Sequence, residues 1–373
     1  MIIISILFFI YLITIAIFSN SFDKVKPFSL SEVTPKTKFT IVIPFRNEAN
    51  NLPTLLKSIS KLNYPTKLVD FIFIDDESSD NSGLLINHFA STSEHHLRIV
   101  PNELKSNSPK KDAITLAVNL TNKEWIVTTD ADCILPSNWL KSFDQFIQKN
   151  NPNMVVAPVT YTVKNNFLHQ FQLLDFLSLQ ASTISVFGLQ KPFLCNGANL
   201  AYKKEVFNKV DGFDNNDSIV SGDDIFLLEK FIQHQKDKVH YLKSEDAIVT
   251  TNPVNSVAKL INQRIRWASK TANNKLVFGK IIGVIILLGN SIIAFSPVFY
   301  YLELLSLTSF GSYIFMKLFF DCLLIERISS FYKQKVSVFN YALSSVIYPY
   351  YTILIVILST FGKFNWKGRR YKK

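Results

Sequence analysis

The chain has 373 residues, 48% of them hydrophobic, and a formal net charge of +11. This length suits two or three structural units, and the apolar content, with a mean hydropathy of +0.16, places part of the chain in membrane segments. The aromatic residues lie in apolar runs and not in a basic groove, which disfavours nucleic-acid binding and favours attraction to anionic lipid and nucleotide phosphates. Three dispersed cysteines imply neither a disulfide framework nor a zinc cluster, which fits a reducing compartment.

An unbroken apolar run at residues 2–18 is just long enough to span a bilayer. A cleaved signal peptide is the alternative, but no basic residue precedes the run and no A-x-A site follows it. We therefore expect residues 1–20 to form an uncleaved transmembrane anchor. The basic residues that follow predict an outside N-terminus and a cytoplasmic domain after it; these are Lys24, Lys26, Lys36 and Lys38.

Residues 38–275 have the pattern of an α/β domain. Short apolar segments predict strands, and segments with helical apolar spacing alternate with them. This alternation predicts a parallel sheet with right-handed crossovers, in which ligands bind beyond the carboxyl ends of the strands. The expected strands are residues 39–44, 68–74, 97–100 and 125–129, and the expected helices are residues 51–62 and 111–120.

Long apolar stretches dominate a C-terminal membrane region at residues 276–362, which a basic tail at 363–373 follows. The stretches are residues 277–301, 302–325 and 338–361, and residues 327–335 form a basic loop between the last two. Three full crossings from a cytoplasmic domain would leave the basic tail outside, against the positive-inside rule. One stretch is therefore expected to be re-entrant or interfacial, either the last, which contains Pro349, or the middle one, which carries Lys317 and Asp321.

The strongest chemical signal is the pair Asp130 and Asp132 directly after an apolar segment. Two carboxylates at the end of a strand can share a hard cation that also reaches phosphate oxygens. Taken alone, such a pair is more often a solvated turn or a helix cap. Similar acidic pairs, Asp75-Asp76 and Asp223-Asp224, follow or precede other apolar segments, and a shared cation with basic partners would offset their mutual repulsion.

A basic-aromatic segment, Gln263 to Trp267, lies just before the C-terminal apolar stretches. Arg266 can make planar bidentate contacts with a diphosphate, and Trp267 can present a flat face to a sugar or pack under the arginine. A basic-aromatic collar at a membrane surface is the competing interpretation.

In their order along the chain, these segments resemble family-two glycosyltransferases, which are inverting enzymes with a GT-A fold. The resemblance covers residues 39–267, and the ordered set is specific although each motif is weak. The C-terminal segment Trp366–Arg369 (WKGR) is also similar to the ends of membrane-bound bacterial members. The motifs are Ile41–Glu48 (IVIPFRNE), Asp75–Asp76, Asp130–Asp132, Asn196–Asn199 (NGAN), Gly222–Asp224 and Gln263-x-x-Arg266-Trp267.

On the donor side, the resemblance implies a pocket for a nucleotide-sugar, most simply a UDP-sugar, and a site for Mn²⁺ or Mg²⁺. Many relatives have an aromatic residue where Arg46 stands, so the contact with the base departs from the family pattern. The resemblance implies that Pro44, Arg46, Glu48, Asp75, Asp76, Lys111 and Asp130 line the donor pocket and that Asp130 and Asp132 bind the metal.

On the acceptor side, the resemblance implies that Asp224, beside Asp223, is the general base that deprotonates a hydroxyl. Charge separates in the transition state of an inverting transfer, so electrophilic help on the leaving side is expected from the metal and from Arg266. The residues expected to close over the diphosphate and the acceptor are Asn196, Gly197, Gln263, Arg266 and Trp267.

The expected protein is thus a multi-pass membrane glycosyltransferase whose catalytic domain is cytoplasmic, with a lipid-linked or glycan acceptor and membrane lipids as further partners and no nucleic acid. A processive polysaccharide synthase and a non-catalytic nucleotide-binding membrane protein remain alternatives. A nucleotidyltransferase is disfavoured because residues 44–47 are not a Gly-rich activation loop.

Overall fold

The computed structural model describes residues 2–163, 166–216, 219–273, 275–361 and 364–371. Its strands are β1 (Phe39–Phe45), β2 (Val69–Asp75), β3 (His96–Pro101), β4 (Trp125–Thr128), β5 (Met154–Val156), β6 (Val159–Tyr161), β7 (Leu200–Lys203), β8 (Val239–Tyr241), β9 (Val249–Thr251), β10 (Phe364–Trp366) and β11 (Arg369–Tyr371). Its α-helices are α1 (Ile2–Phe22), α2 (Leu52–Ile59), α3 (Ser82–Thr92), α4 (Pro109–Leu120), α5 (Trp139–Asn150), α6 (Phe167–Gly188), α7 (Lys204–Lys209), α8 (Asp223–Gln235), α9 (Val257–Asn273), α10 (Val277–Tyr301), α11 (Leu307–Tyr332) and α12 (Val338–Phe361).

A seven-stranded sheet with the order β3-β2-β1-β4-β7-β5-β8 forms the centre of the domain. The strands β1 to β4 are mutually parallel, as predicted, whereas β7 runs antiparallel to both β4 and β5. Residues on both faces of β1 are buried, including Phe39, Ile41 and Val42, as expected for a parallel sheet that helices cover on both sides. The α/β class with apolar helices before and after the domain is confirmed.

The register of the sheet positions the acidic motifs. Phe45 at the end of β1 lies opposite Asp75, and Val42 lies opposite Thr128 near the end of β4. Because parallel strands end at the same edge of a sheet, the residues that follow β1, β2 and β4 emerge side by side.

Among the described residues, four helices are long and apolar enough to cross a membrane, namely α1, α10, α11 and α12. Helix α1 packs against α6, α10 and α11. Its packing on α10 is close, since a Cβ at Gly289 would come within 2.3 Å of the Tyr11 ring. The Lys243 ammonium donates to the Phe22 carbonyl at 3.0 Å and thereby joins the end of α1 to the α/β domain.

The bounds predicted for the middle apolar stretch are wrong. Helix α11 begins at Leu307, because the Ser306 side chain caps it by accepting from the Ser309 N–H at 3.1 Å. It continues to Tyr332, so the first part of the basic segment at 327–335 is helical and not a loop. Arg327 in this last part pairs with Asp23 just after α1, at 3.0 Å.

Both flanks of α12 contact the α/β domain. In the loop before it, Lys333 pairs with Glu245. After it, the hairpin β10–β11 pairs with Glu48 and Asp76, which follow β1 and β2. Of the two stretches that the sequence left open, the last, interrupted by Pro349, is thus the one whose two flanks both pair with this domain.

Candidate active site

A cleft of about 130 Å³ opens where β1 and β4 end. Several side chains predicted for the site line it together although they lie far apart in the chain. They are Pro44, Arg46, Glu48, Asp76, Asp130, Asp132 and Arg266. The sheet register explains the first six, and α9 brings Arg266 to the same cleft.

Lys110 links the two acidic pairs across the cleft. Its Nζ lies 2.7 Å from Asp130 Oδ1 and 3.3 Å from Asp223 Oδ2. Although burial opposes its charge, the carboxylates of Asp130 and Asp223 raise the pKa of Lys110 above its ordinary value. A protonated amine between two carboxylates is a ready partner for phosphate oxygens.

The chemistry of Asp130 and Asp132 fits a divalent cation. Burial and the nearby charge of Asp130 raise the pKa of Asp132 to about 6, so the two carboxylates repel one another and a cation between them would relieve this repulsion. The described residues contain no group of three or more His, Cys, Asp or Glu placed to hold a metal. The protein therefore offers two carboxylates, and a substrate phosphate and water would complete the coordination, as is usual for Mg²⁺.

Gly222 makes the sharp entry into α8 possible. Its φ of +92° lies in the left-handed region, and a Cβ there would meet the Phe226 ring at 2.8 Å. The next two residues, Asp223 and Asp224, form the first turn of α8, where the helix dipole favours negative charge.

Asp224 is buried and held by a partner that sequence reasoning missed. Lys270 Nζ lies 3.0 Å from Asp224 Oδ1, and the Gly197 N–H donates to Asp224 Oδ2 at 3.3 Å. Burial works against the charge of Asp224, but Lys270 and then Lys110 hold its pKa below the ordinary carboxyl value. The carboxylate is thus ionised throughout the neutral range.

The hairpin β10–β11 covers the side of the cleft that Glu48 and Asp76 form. Trp366 and Lys367 are part of its lining, and Lys367 pairs with Glu48. Arg369 lies 2.8 Å from an Asp76 carboxylate oxygen. The Arg266 guanidinium stands 5.5 Å from the centre of the Trp366 ring. The WKGR segment therefore belongs to the cleft.

Three residues predicted for the site lie elsewhere. The Lys111 ammonium turns away and donates to the carbonyls of Asn216 and Ile219 at 2.6 and 2.8 Å. Asp75 accepts from the Ser78 N–H within its own turn, at 2.9 Å. Trp267 lies against Arg264, whose guanidinium is 4.1 Å from its ring centre.

The remaining predicted residues lie around the cleft without lining it. Gln263 Oε1 accepts from Arg264 at 2.7 Å, and Asn196 caps its own turn by accepting from the Ala198 N–H at 3.0 Å. Asn199, the last residue of the NGAN motif, has a structural role that the sequence did not predict. It is fully buried, donates to the carbonyls of Pro158 and Ala247, and accepts from the Trp139 indole at 2.9 Å.

The sequence of the domain matches a known family and, in part, known enzymes. Residues 40–211 match the model of Glycosyl transferase family 2. The chain is 36% identical over 104 residues to an undecaprenyl-phosphate 4-deoxy-4-formamido-L-arabinose transferase of Yersinia enterocolitica, over 28% of this chain and 31% of that relative. The protein of the same name from Photorhabdus laumondii is 34% identical over 96 residues, which is 26% of this chain and 29% of the relative. The matched part is thus under a third of the length of either relative.

Among solved structures, the mannosyltransferase PcManGT from Pyrobaculum calidifontis, in complex with GDP-Man and Mn²⁺, has a similar fold. The TM-score is 0.62 over 96% of this chain and 97% of that one, at 15% identity. The sheet and this likeness define a domain with a GT-A fold. Within this domain, residues 40–211 are similar to glycosyl transferase family 2.

Proposed function

We propose that this protein is a membrane glycosyltransferase that moves a sugar from a nucleotide-sugar, in the first instance a UDP-sugar, to a lipid-linked acceptor with inversion at the anomeric carbon. The observation that carries the proposal is the meeting of the two acidic pairs at Lys110, whose Nζ contacts both Asp130 and Asp223. A donor diphosphate and an acceptor oxygen must meet at such a place, and the same cleft contains Arg266.

The donor would lie over the ends of β1, β2 and β4. Arg46, whose Nη1 donates to the Asp76 carbonyl at 2.6 Å, would stack on the base, and Glu48 and Asp76 would accept hydrogen bonds from base or ribose. Lys110, in place of the predicted Lys111, would contact phosphate oxygens together with Arg266.

Asp130 and Asp132 would hold Mn²⁺ or Mg²⁺. When bound, the metal neutralises charge on the departing diphosphate. The protein's own contribution there is to keep Lys110 protonated beside the leaving group and to place Arg266 and both carboxylates close to it.

On the acceptor side, Asp224 would take the proton of the attacking hydroxyl. The Gly197 N–H and Lys270 fix the orientation of its carboxylate, and a positioned general base contributes roughly 10²–10⁴-fold in rate. A phosphate acceptor brings no proton. In that case Lys270 and Lys110 would stabilise the negative charge of the acceptor phosphate.

The acceptor is proposed to be lipid-linked because four helices suit a membrane and because the partial relatives are named as undecaprenyl-phosphate sugar transferases. The basic residues after α1 support a cytoplasmic catalytic domain. A glycan acceptor and processive addition are separate outcomes of the same assay, and in processive addition the products lengthen with time.

The test is a screen of UDP- and GDP-sugars with the detergent-purified protein and extracted lipid, with and without Mn²⁺ or Mg²⁺. We expect metal-dependent release of the nucleotide, abolished in Asp132→Asn and Asp224→Asn. The matched control is Asp237→Asn, which changes an exposed aspartate beyond α8 and should retain parent activity. If both site variants release nucleotide at the parent rate, or if the control variant loses as much activity as they do, the assignment of the site residues is wrong.

A further inference from the structure

A second cavity, of about 310 Å³, lies between the catalytic domain and the membrane helices. This volume is at the lower end of the roughly 300–1,000 Å³ found for small-molecule sites. Helix α6 contributes one face from Phe171 to Ser182, and α12 contributes residues from Tyr341 to Val356. Helix α10 contributes a stripe with the spacing of a single helical face, which consists of Gly279, Ile282, Gly283, Ile286, Leu287 and Asn290.

The cavity is long and largely apolar. From Gly279 to Asn290 the helix advances by eleven residues, about 16 Å at 1.5 Å per residue. The space next to Gly283 on this stripe is open, since a Cβ there would meet nothing within 4 Å. Such a space fits a flexible hydrocarbon chain better than a sugar or a nucleotide.

One end of the cavity adjoins the catalytic residues. Its wall includes Leu194, close to the Asn196 motif, and Ile225, the residue after Asp224. Phe193 packs on Gly279, where a Cβ would come within 2.7 Å of the Phe193 ring. Asp224, the proposed general base, and Ile225, which lines the cavity, are thus consecutive residues of α8.

Polar groups also line the cavity. Lys317 pairs with Asp321 at 2.5 Å, and the Tyr11 hydroxyl donates to the same carboxylate at 2.6 Å. Within the described part of the chain, Asn290 Oδ1 and Ser344 Oγ are buried without a hydrogen-bond partner. Ionisable and unpaired polar groups are costly in membrane helices and usually mark a functional site. The cavity therefore differs from an ordinary packing gap.

We propose that this cavity is the acceptor subsite and takes the hydrocarbon chain of a membrane lipid whose terminal oxygen, a hydroxyl or a phosphate, is presented to Asp224. The inference rests on the proposed function and names its acceptor site. In the transfer, the lipid oxygen forms a bond to the anomeric carbon as the bond from that carbon to the diphosphate oxygen breaks. The proton of a hydroxyl goes to Asp224, whereas a phosphate dianion has none to give.

The test uses hexadecanol and hexadecyl phosphate, each with a diazirine at the chain end, added to the full-length protein in phosphatidylglycerol–phosphatidylethanolamine vesicles. After illumination, mass spectrometry locates the labelled residues. We expect labels on the cavity faces of α6, α10 and α12, and the preferred probe distinguishes a lipid hydroxyl from a lipid phosphate.

The decisive variant is Gly283→Phe, which places a ring in the open space of the cavity. Its matched control is Gly311→Phe on α11, where a Cβ likewise meets nothing within 4 Å and which lies outside the cavity lining. We expect cavity labelling to fall by about tenfold or more in the first variant only, a factor of ten being about 1.4 kcal/mol. Ser344→Leu, on the opposite wall, gives a second variant should Gly283→Phe fail to fold.

Equal labelling in Gly283→Phe and Gly311→Phe, or labels spread over all lipid-facing surfaces, overturns the inference. Nucleotide binding, measured on the same samples, separates this result from failure of the proposed function. If the parent binds UDP or GDP and cavity labelling is absent, the acceptor subsite alone is wrong. If cavity labelling is specific but the parent binds no nucleotide, the cavity binds lipid and its acceptor role is wrong.

Discussion

Replacing Lys270 by methionine removes the cation that holds Asp224 ionised. The two groups are 3.0 Å apart with about a tenth of each side chain exposed. At an effective dielectric constant of about 20, their attraction is roughly 5.5 kcal/mol. The variant no longer bears the cost of burying the lysine charge, and this offsets part of the lost attraction. We therefore expect the free energy of unfolding to fall by about 3–5 kcal/mol at neutral pH.

The change in pH dependence has a definite sign. In the parent, the pKa of Asp224 is lowered, so its contribution is complete above the ordinary carboxyl pKa of about 3.9 and is lost as the pH falls through the lower, folded value. Without Lys270, burial, the largest influence on this group, raises the pKa and only Lys110 among the named cations opposes it. The acid limb of the activity profile should therefore move to higher pH.

The assay is the rate of nucleotide release against pH at saturating metal and donor, with thermal unfolding measured on the same samples. Lys270→Arg retains the charge and should keep the parent's acid limb. Lys259→Met changes an exposed lysine on the same helix and controls for net charge. An unmoved acid limb in Lys270→Met would refute the reasoning, because Lys270 would then not set the charge state of Asp224.

The other predictions concern metal, hairpin and core. Asp132→Asn should weaken Mn²⁺ binding, followed by calorimetry in the presence of nucleotide, because one of two carboxylates loses its charge; unchanged affinity would place the metal elsewhere. Arg369→Ala should loosen the hairpin from Asp76 and change the nucleotide dissociation constant, whereas Lys335→Ala, in the loop before α12, should not; identical constants would separate the hairpin from donor binding. Asn199→Ala should lower the unfolding free energy by about 2–4 kcal/mol, since it leaves two buried carbonyls and an indole N–H unpaired, and a loss below 1 kcal/mol, roughly one ordinary hydrogen bond, would contradict this account of the motif.

Local patterns in the sequence predicted β1 to β4, α2 and α4 of the domain. Apolar segments such as the one at 125–129 are buried because strands in a covered parallel sheet must be apolar on both faces. The acidic residues after these segments, Asp76 and Asp130 among them, had to emerge at one edge once the strands were parallel. The family resemblance, carried by the order of these motifs, is likewise a property of the sequence alone.

Only the tertiary structure shows which of two neighbouring side chains, Lys110 or Lys111, faces the cleft. Lys110 and Lys111 differ by one position on α4, and the helix, which begins at Pro109, turns adjacent side chains by about 100°. Only the placement of α4 against the sheet decides that Lys110 meets Asp130 while Lys111 is buried against backbone carbonyls. Periodicity cannot fix such a rotation when both residues have the same chemistry.

The sequence by itself thus determined the first four strands, the acidic strand ends and the apolar helices, because burial and charge act on each residue through its near neighbours in the chain. The tertiary structure alone decided that Lys270 pairs with Asp224, that the C-terminal hairpin covers the cleft, and that α6 and α10 enclose a cavity. The two ion pairs among these contacts join residues 46 and 319 positions apart. Their partners are selected by how the helices pack, so a pattern in the local sequence does not predict them.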